Sequence, residues 1–251
     1  MELSDLQDRY KNKLIFIIGA APSVRNLDIN LLEKYPVIAV NSGILAIKKK
    51  EDLYFVSDDE GVSQWSYYIR ELPDLDCVCL LYENKLKGHT KFLNKDKVIF
   101  YKHKSWFSPP STYNLPEGLE LTKDINKPII GSRISFSSAI HLAYCMGAKT
   151  IVLLGNDNQL SQDGNSFRYF WQYWKKEKQP HRIGRAMKFN FLTQNLGFNS
   201  KDFIEYWRHF SEVNKEIIGK EIEIINCSDT PKEFNFFPKM KIEEVLKKYG
   251  E

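Results

Sequence analysis

The sequence predicts an α/β fold, a doubly wound, mainly parallel Rossmann-like sheet with an aromatic-basic lid segment. Three observations predict it. Short apolar runs rich in Val and Ile recur along the chain, as in LIFII at 14–18 and TIVLL at 150–154. Runs that lack alternation fit strands covered on both faces, the usual condition of a parallel sheet. Helical patterns lie between the runs, which is the order a doubly wound sheet requires. Several runs end abruptly in Gly, Asn, Ser or Asp, the residue types that line the carboxyl edge of such a sheet.

In chain order, strands are expected at 14–18, 36–41, 53–57, 77–82, 97–101, 150–155 and 221–227. Helices are expected at 28–34, with Asp28 as N-cap, and at 61–71, 134–146, 166–176, 185–196, 201–217 and 240–249. The proline-bearing stretch 103–128 reads as loop. The 251 residues suit one Rossmann-like nucleotide-binding domain over 1–251, with a lid or insertion at about 157–219. With 43% hydrophobic and 27% charged residues, the composition supports an ordinary core and argues against disorder.

The net charge of +4 permits an anionic substrate without marking a nucleic-acid binder. Cys77, Cys79, Cys145 and Cys227 form no CxxC pair and have no His beside them, so buried reduced thiols are expected. No apolar run approaches the ~20 residues of a membrane span. The polar start MELSDLQDRYKNK does not read as a secretory leader, and cytoplasmic residence is the expectation. No HExxH, GxSxG, Walker loop or GxGxxG occurs, which removes support from metalloprotease, serine hydrolase, P-loop NTPase and dinucleotide-fingerprint classes.

Ligands of doubly wound sheets bind beyond the carboxyl ends of the strands, so the residues there carry the functional reading. After the first strand, Gly19 permits a tight turn, while Ala20 and Ala21 are small enough to admit a ligand to the main chain. Pro22 and Ser23 follow, and the N–H groups of such a turn can face a phosphate. After the second, Asn41, Ser42 and Gly43 offer either a base or ribose contact or a turn of unusual backbone geometry. After the third, Asp58 and Asp59 suit a divalent cation such as Mg²⁺, ribose hydroxyls, or helix capping. Ahead of the helix at 134–146, Arg133 and Ser135 stand among four serines, more hydroxyls than capping needs, and read as an anion site. Gly155, Asn156 and Asp157 close the set, with Asp157 where a ribose or acceptor hydroxyl would be held.

Together, IIGAAPSV, AVNSG, SRISFSSAIHLAYCMGAKTIVLLGNDNQ and EIEIINCS…FPKM resemble the sialyltransferase-like superfamily. That group includes bacterial sialyltransferases, Kdo transferases and the domain of motility-associated glycosyltransferases. A set of phage proteins of similar length shares the pattern. The resemblance covers roughly 13–160 and 220–245. It implies a glycosyltransferase that moves a sugar from a nucleotide-sugar donor, such as a CMP-linked one, to an acceptor hydroxyl. The acceptor would be a glycan or a modified DNA base. A phage enzyme acting on hydroxymethylated pyrimidine, in the host cytoplasm, is one alternative. A pterin-type diphosphokinase and a non-catalytic nucleotide-binding module are others.

By the same resemblance, Gly19, Ala20 and Pro22 match the donor-nucleotide loop, where those enzymes usually carry Asn at the position of Ala20. Asn41 matches a donor contact, and Arg133 and Ser135 match an Arg-Ile-Thr-Ser stretch. Asp157 matches the acidic residue of G-x-D. The family's His-Tyr-Ile-Gly-His, whose second His is the base, corresponds here to His181-Arg182-Ile183-Gly184-Arg185. Arg185 cannot accept a proton. The base role therefore falls to His181 or Asp157, or the chemistry differs, and Arg133, Arg182 and Arg185 would stabilise the departing phosphate. Tyr169 and Tyr173 stand in for lid tyrosines that grip phosphate. They belong to an aromatic-basic stretch, 164–188, that reads as a packed lid helix, a sugar-phosphate clamp or a nucleic-acid contact.

Overall fold

The computed structural model describes residues 1–47, 51–56, 77–82, 94–105, 118–131, 135–157 and 200–250. Of the expected helices, 61–71, 166–176 and 185–196 lie outside the described residues. So do Asp58, Asp59, Arg133, Tyr169, Tyr173, His181, Arg182 and Arg185.

The central sheet is built from β1 (Leu14–Ile18), β2 (Val37–Val40), β3 (Leu53–Val56), β4 (Cys77–Tyr82) and β5 (Val98–Tyr101), and from two later strands. Two three-residue strands, β6 (His103–Ser105) and β7 (Ile129–Gly131), come next, followed by helix α1 (Ser135–Cys145) and β8 (Thr150–Leu154). Helix α2 (Ser200–Val213), β9 (Glu223–Asn226) and α3 (Ile242–Tyr249) complete the α-helices and strands among the described residues. The sheet order is β5-β4-β3-β2-β1-β8-β9, and every pairing is parallel. Chain order runs outward from β1 to one edge, then crosses to β8 and β9 on the other side. The topological switch point therefore lies between β1 and β8, which pair from Leu14↔Thr150 to Ile18↔Leu154.

All five residues of β1 and all five of β8 are buried, as their unbroken apolar runs require of strands covered on both faces. Helix α1 is buried along its whole length, polar residues included. Its Ser137 hydroxyl accepts a hydrogen bond from Tyr206 of α2 at 2.8 Å, and the Ser138 hydroxyl donates to the Ile130 carbonyl at 2.6 Å. Beside it α2 buries Trp207 completely, with edge-to-face contacts to Phe210, Phe234 and Phe237 at centroid distances of 5.4–6.0 Å. Such pairs add about 0.5–1.5 kcal/mol each beyond area burial. The part of the expected lid from 200 onward thus holds a helix seated on the core.

Several boundaries differ from expectation for local reasons. The helix expected at 28–34 is a single 3-10 turn, Ile29–Leu32, with the Asp28 carboxylate accepting the Asn30 N–H at 3.1 Å. Pro36 follows closely and disfavours helical backbone at Tyr35, so the segment has no room to lengthen. The helix expected over 201–217 ends at Val213, where the Asn214 N–H and side-chain amide both donate to the Phe210 carbonyl, at 3.2 and 2.9 Å. The strand β6 falls in the stretch 103–128 expected as loop, since HKS carries no apolar run. It pairs parallel with β7, His103↔Ile129 to Ser105↔Gly131. Cys77, Cys79 and Cys145 are buried free thiols, and Cys227 is a half-buried one.

The irregular strap 118–128 lacks a ladder, so side chains satisfy its main chain. Asn214 accepts the Leu121 N–H at 2.7 Å and donates to the Leu119 carbonyl at 2.9 Å. Gln7 accepts the Ile125 N–H at 2.9 Å and donates to the Lys123 carbonyl at 3.0 Å. The buried His141 ring accepts the Ile130 N–H on Nδ1 at 3.0 Å, which leaves its proton on Nε2, 2.9 Å from the Thr122 carbonyl. This network sets where β7 delivers the chain to the start of α1.

Burial lowers the His141 pKa from 6.5 to about 4; the Thr122 main chain opposes the shift and the Lys104 charge adds to it. The unfolded chain therefore binds the extra proton between these values. The stability tied to this residue is complete above pH 6.5 and is lost as pH falls through about 4. The loss is on the order of 3 kcal/mol. Urea denaturation from pH 7 to 4 should show a shallower acid limb for His141→Gln than for the parent chain. Parallel limbs would contradict the assignment.

Candidate functional site

The tips of β1, β2 and β8 converge at the switch point. Gly19 extends the β1 ladder, donating to the Leu154 carbonyl at 2.8 Å, and its open side is filled by the Phe136 ring. Ala21 donates to the Gly155 carbonyl at 3.3 Å. The chain then enters a 3-10 turn, Pro22–Asn26, with Pro22 at a position where its missing N–H costs nothing. Small residues at 19–21 thus serve the close approach of β1 to β8.

Gly43 and Gly155 are required by geometry as well as Gly19. A Cβ on Gly43 would run into the Ile18 carbonyl, so β2's turn can lie over the tip of β1 only without a side chain there. Gly155 has φ +64°, the left-handed region, and a Cβ on it would strike Val24.

Asp157 is the buried charge of the rim, 7% exposed. Its Oδ1 accepts the Ser23 hydroxyl at 2.5 Å and its Oδ2 accepts the Ser23 N–H at 3.1 Å. The Asp229 main-chain N–H faces the same carboxylate. Burial raises the Asp157 pKa, against the pull of the Ser23 hydroxyl, the Ser23 N–H and the Asp229 N–H; the Asp229 charge adds to the rise. Three donors occupy most of the sites a carboxylate offers. Its geometry makes Asp157 a clamp on the β1 turn, joined from the far side of the switch point.

Asn41 begins the 3-10 turn after β2 with φ +50°, uncommon for a residue other than glycine. The turn alternative of the sequence reading is thereby realised, and the side chain is also engaged: its Nδ2 donates to the Ser135 hydroxyl at 3.4 Å. Ser135 opens α1, so this contact ties the β2 tip to a helix N-terminus. Ser42 is buried beside it. Asn156 is buried too, and its N–H donates to the Ser228 hydroxyl at 2.8 Å.

The structure brings together Gly19, Ala20, Pro22, Ser23, Asn41, Ser42, Ser135, Gly155, Asn156 and Asp157. Ala20, Pro22, Ser23 and Asn41 are half-buried and form the accessible lip over a buried floor. Sequence reasoning missed Phe136, Asn226, Ser228 and Asp229. The I-N-C-S motif was the available signal, but it stands about seventy residues from the rim it supports.

Strain and close approach generate a test at the β2 tip. Gly43→Ala should cost about 1–3 kcal/mol, because backbone must shift to admit the methyl. Asn41→Val should cost about 1–3 kcal/mol through its left-handed φ, and Asn41→Gly clearly less. Urea midpoints measure all three; equal losses for Asn41→Val and Asn41→Gly would contradict the strain argument.

No family model matches the chain, and no curated protein matches it in sequence. Among solved structures, the chain is similar to the MAf glycosyltransferase from Magnetospirillum magneticum AMB-1, with a TM-score of 0.53 and 13% identity over 93% of this chain. The chain spans 34% of that protein's length. The likeness is one of fold: both chains hold a doubly wound α/β sheet.

Proposed function

We propose that the chain is a glycosyltransferase that binds a nucleotide sugar above the tips of β1, β2 and β8 and passes the sugar to an acceptor hydroxyl. The observation that supports this most is the joined rim itself. Ser23 and Asp157 tie β1 to β8 across the switch point, and Asn41 ties β2 to Ser135, beneath a half-buried lip at Ala20, Pro22, Ser23 and Asn41. The fold shared with a solved glycosyltransferase supports the same reading.

In this proposal the Gly19–Ser23 turn and the start of α1 receive the nucleotide phosphate, and Asn41 meets the base or ribose. The sequence motifs favour CMP as the nucleotide and an acidic sugar as its cargo. Transfer needs a base to take the acceptor proton and cations to stabilise the leaving phosphate. Asp157 is already turned onto Ser23, so the base role passes to His181, with Arg133, Arg182 and Arg185 as the cationic cradle. Asp58 and Asp59 are the candidate ligands should a divalent cation assist.

A thermal-shift panel of CMP, UDP, GDP and ATP, each with and without Mg²⁺, tests the reading. A nucleotide at about one hundred times its Kd stabilises the native state by about 2.7 kcal/mol. That corresponds to about 5–10 °C in a chain of this size. CMP is expected to produce the largest shift, without need of Mg²⁺. A shift with ATP and Mg²⁺ alone would replace the reading with diphosphate transfer, and no shift at all would overturn it.

A further inference from the structure

The turn that follows β9 is built of buried polar side chains, each engaged. Asn226 is fully buried, Ser228 is 1% exposed and Thr230 is 7% exposed. The Asn226 Oδ1 accepts the Ser228 N–H at 3.0 Å, and its Nδ2 donates to the Thr230 hydroxyl at 2.9 Å. The Asn226 main chain is held as well, donating to the Pro238 carbonyl at 2.8 Å and accepting the Met240 N–H at 3.2 Å. Buried polar groups cost stability unless each finds a partner, so a turn this polar needs a reason.

That reason lies in the neighbouring strand. The Cys227 N–H donates to the Leu153 carbonyl at 2.9 Å. The Ser228 hydroxyl donates to the same carbonyl at 3.3 Å and accepts the Asn156 N–H at 2.8 Å. The turn therefore grips the chain on both sides of Gly155, immediately before the carboxylate that clamps Ser23. An apolar residue at 228 would fill the space and leave the Asn156 N–H without this acceptor.

We propose that Ser228, locked in place by Asn226, is a positioning residue that sets where Asp157 stands and, through it, the Gly19–Ser23 turn. Its importance for catalysis rests on the glycosyltransferase reading; the positioning itself does not. Two nuclear magnetic resonance readouts on the full chain test it without any nucleotide: amide exchange at Asn156, and the titration midpoint of the Asp157 carboxyl carbon, assigned by its loss in Asp157→Asn.

Ser228→Ala is expected to speed Asn156 exchange about tenfold or more, the effect of one lost hydrogen bond. It should also move the Asp157 midpoint by about 0.5 pH unit or more, in either direction, as the donors around the carboxylate rearrange. Tyr54→Phe, which removes a buried hydroxyl contact to Tyr10 at 2.6 Å elsewhere in the sheet, controls for general loss of stability and should leave both readouts unchanged. A folded Ser228→Ala protein with parent-like exchange and midpoint overturns the proposal, as does a Tyr54→Phe protein that reproduces the changes. Should Ser228→Ala fail to fold, Thr230→Val decides by the same readouts, since it removes only the hydroxyl that steadies Asn226: a shift supports the proposal and none overturns it.

Discussion

One bond pair organises the molecule's candidate site: the Ser23 hydroxyl and N–H on the two oxygens of Asp157. In a doubly wound sheet the strands on either side of the switch point lead their chains away in opposite directions, which opens a crevice between the loops that follow. Here a buried carboxylate closes that opening at its base. The carboxylate is costly to bury, as its raised pKa records, and only its three donors make the arrangement tenable. The β1 turn is thus held in one position before any ligand arrives, and pre-organisation of that kind favours binding.

Two supports extend from this bond. On one side, Gly43 lets the β2 turn lie against the β1 tip, and Asn41 reaches the first residue of α1. On the other, the turn after β9 brackets Gly155. The strap 118–128 acts at a distance: the ties of its main chain to the Gln7, His141 and Asn214 side chains fix the approach to α1. A rim made of loops is in this way given the definition of a regular element, by buried amides and hydroxyls where ladders are missing.

The sheet was legible in the sequence because parallel strands buried on both faces must be apolar throughout, and LIFII and TIVLL have no other economical use. The strand tips were legible because Gly, Asn and Asp interrupt those runs abruptly. Less was visible where partners are far apart in the chain. Nothing near Asp157 announces that Ser23 will occupy it, 134 residues away. Nor does Asn226 announce that it will hold a turn serving β8. The short helix at 28–34 failed for the opposite reason: its local pattern was helical, but Pro36 left it no room to lengthen beyond one 3-10 turn.

A double-mutant cycle in urea measures the organising bond most directly, using Ser23→Ala, Asp157→Asn and the pair. Residues that share a buried hydrogen bond couple by about 0.5–3 kcal/mol. The account predicts a coupling of about 1 kcal/mol or more for the side-chain bond. Losses that add to within about 0.3 kcal/mol would contradict it, because β1 and β8 would then be held together by something other than this bond.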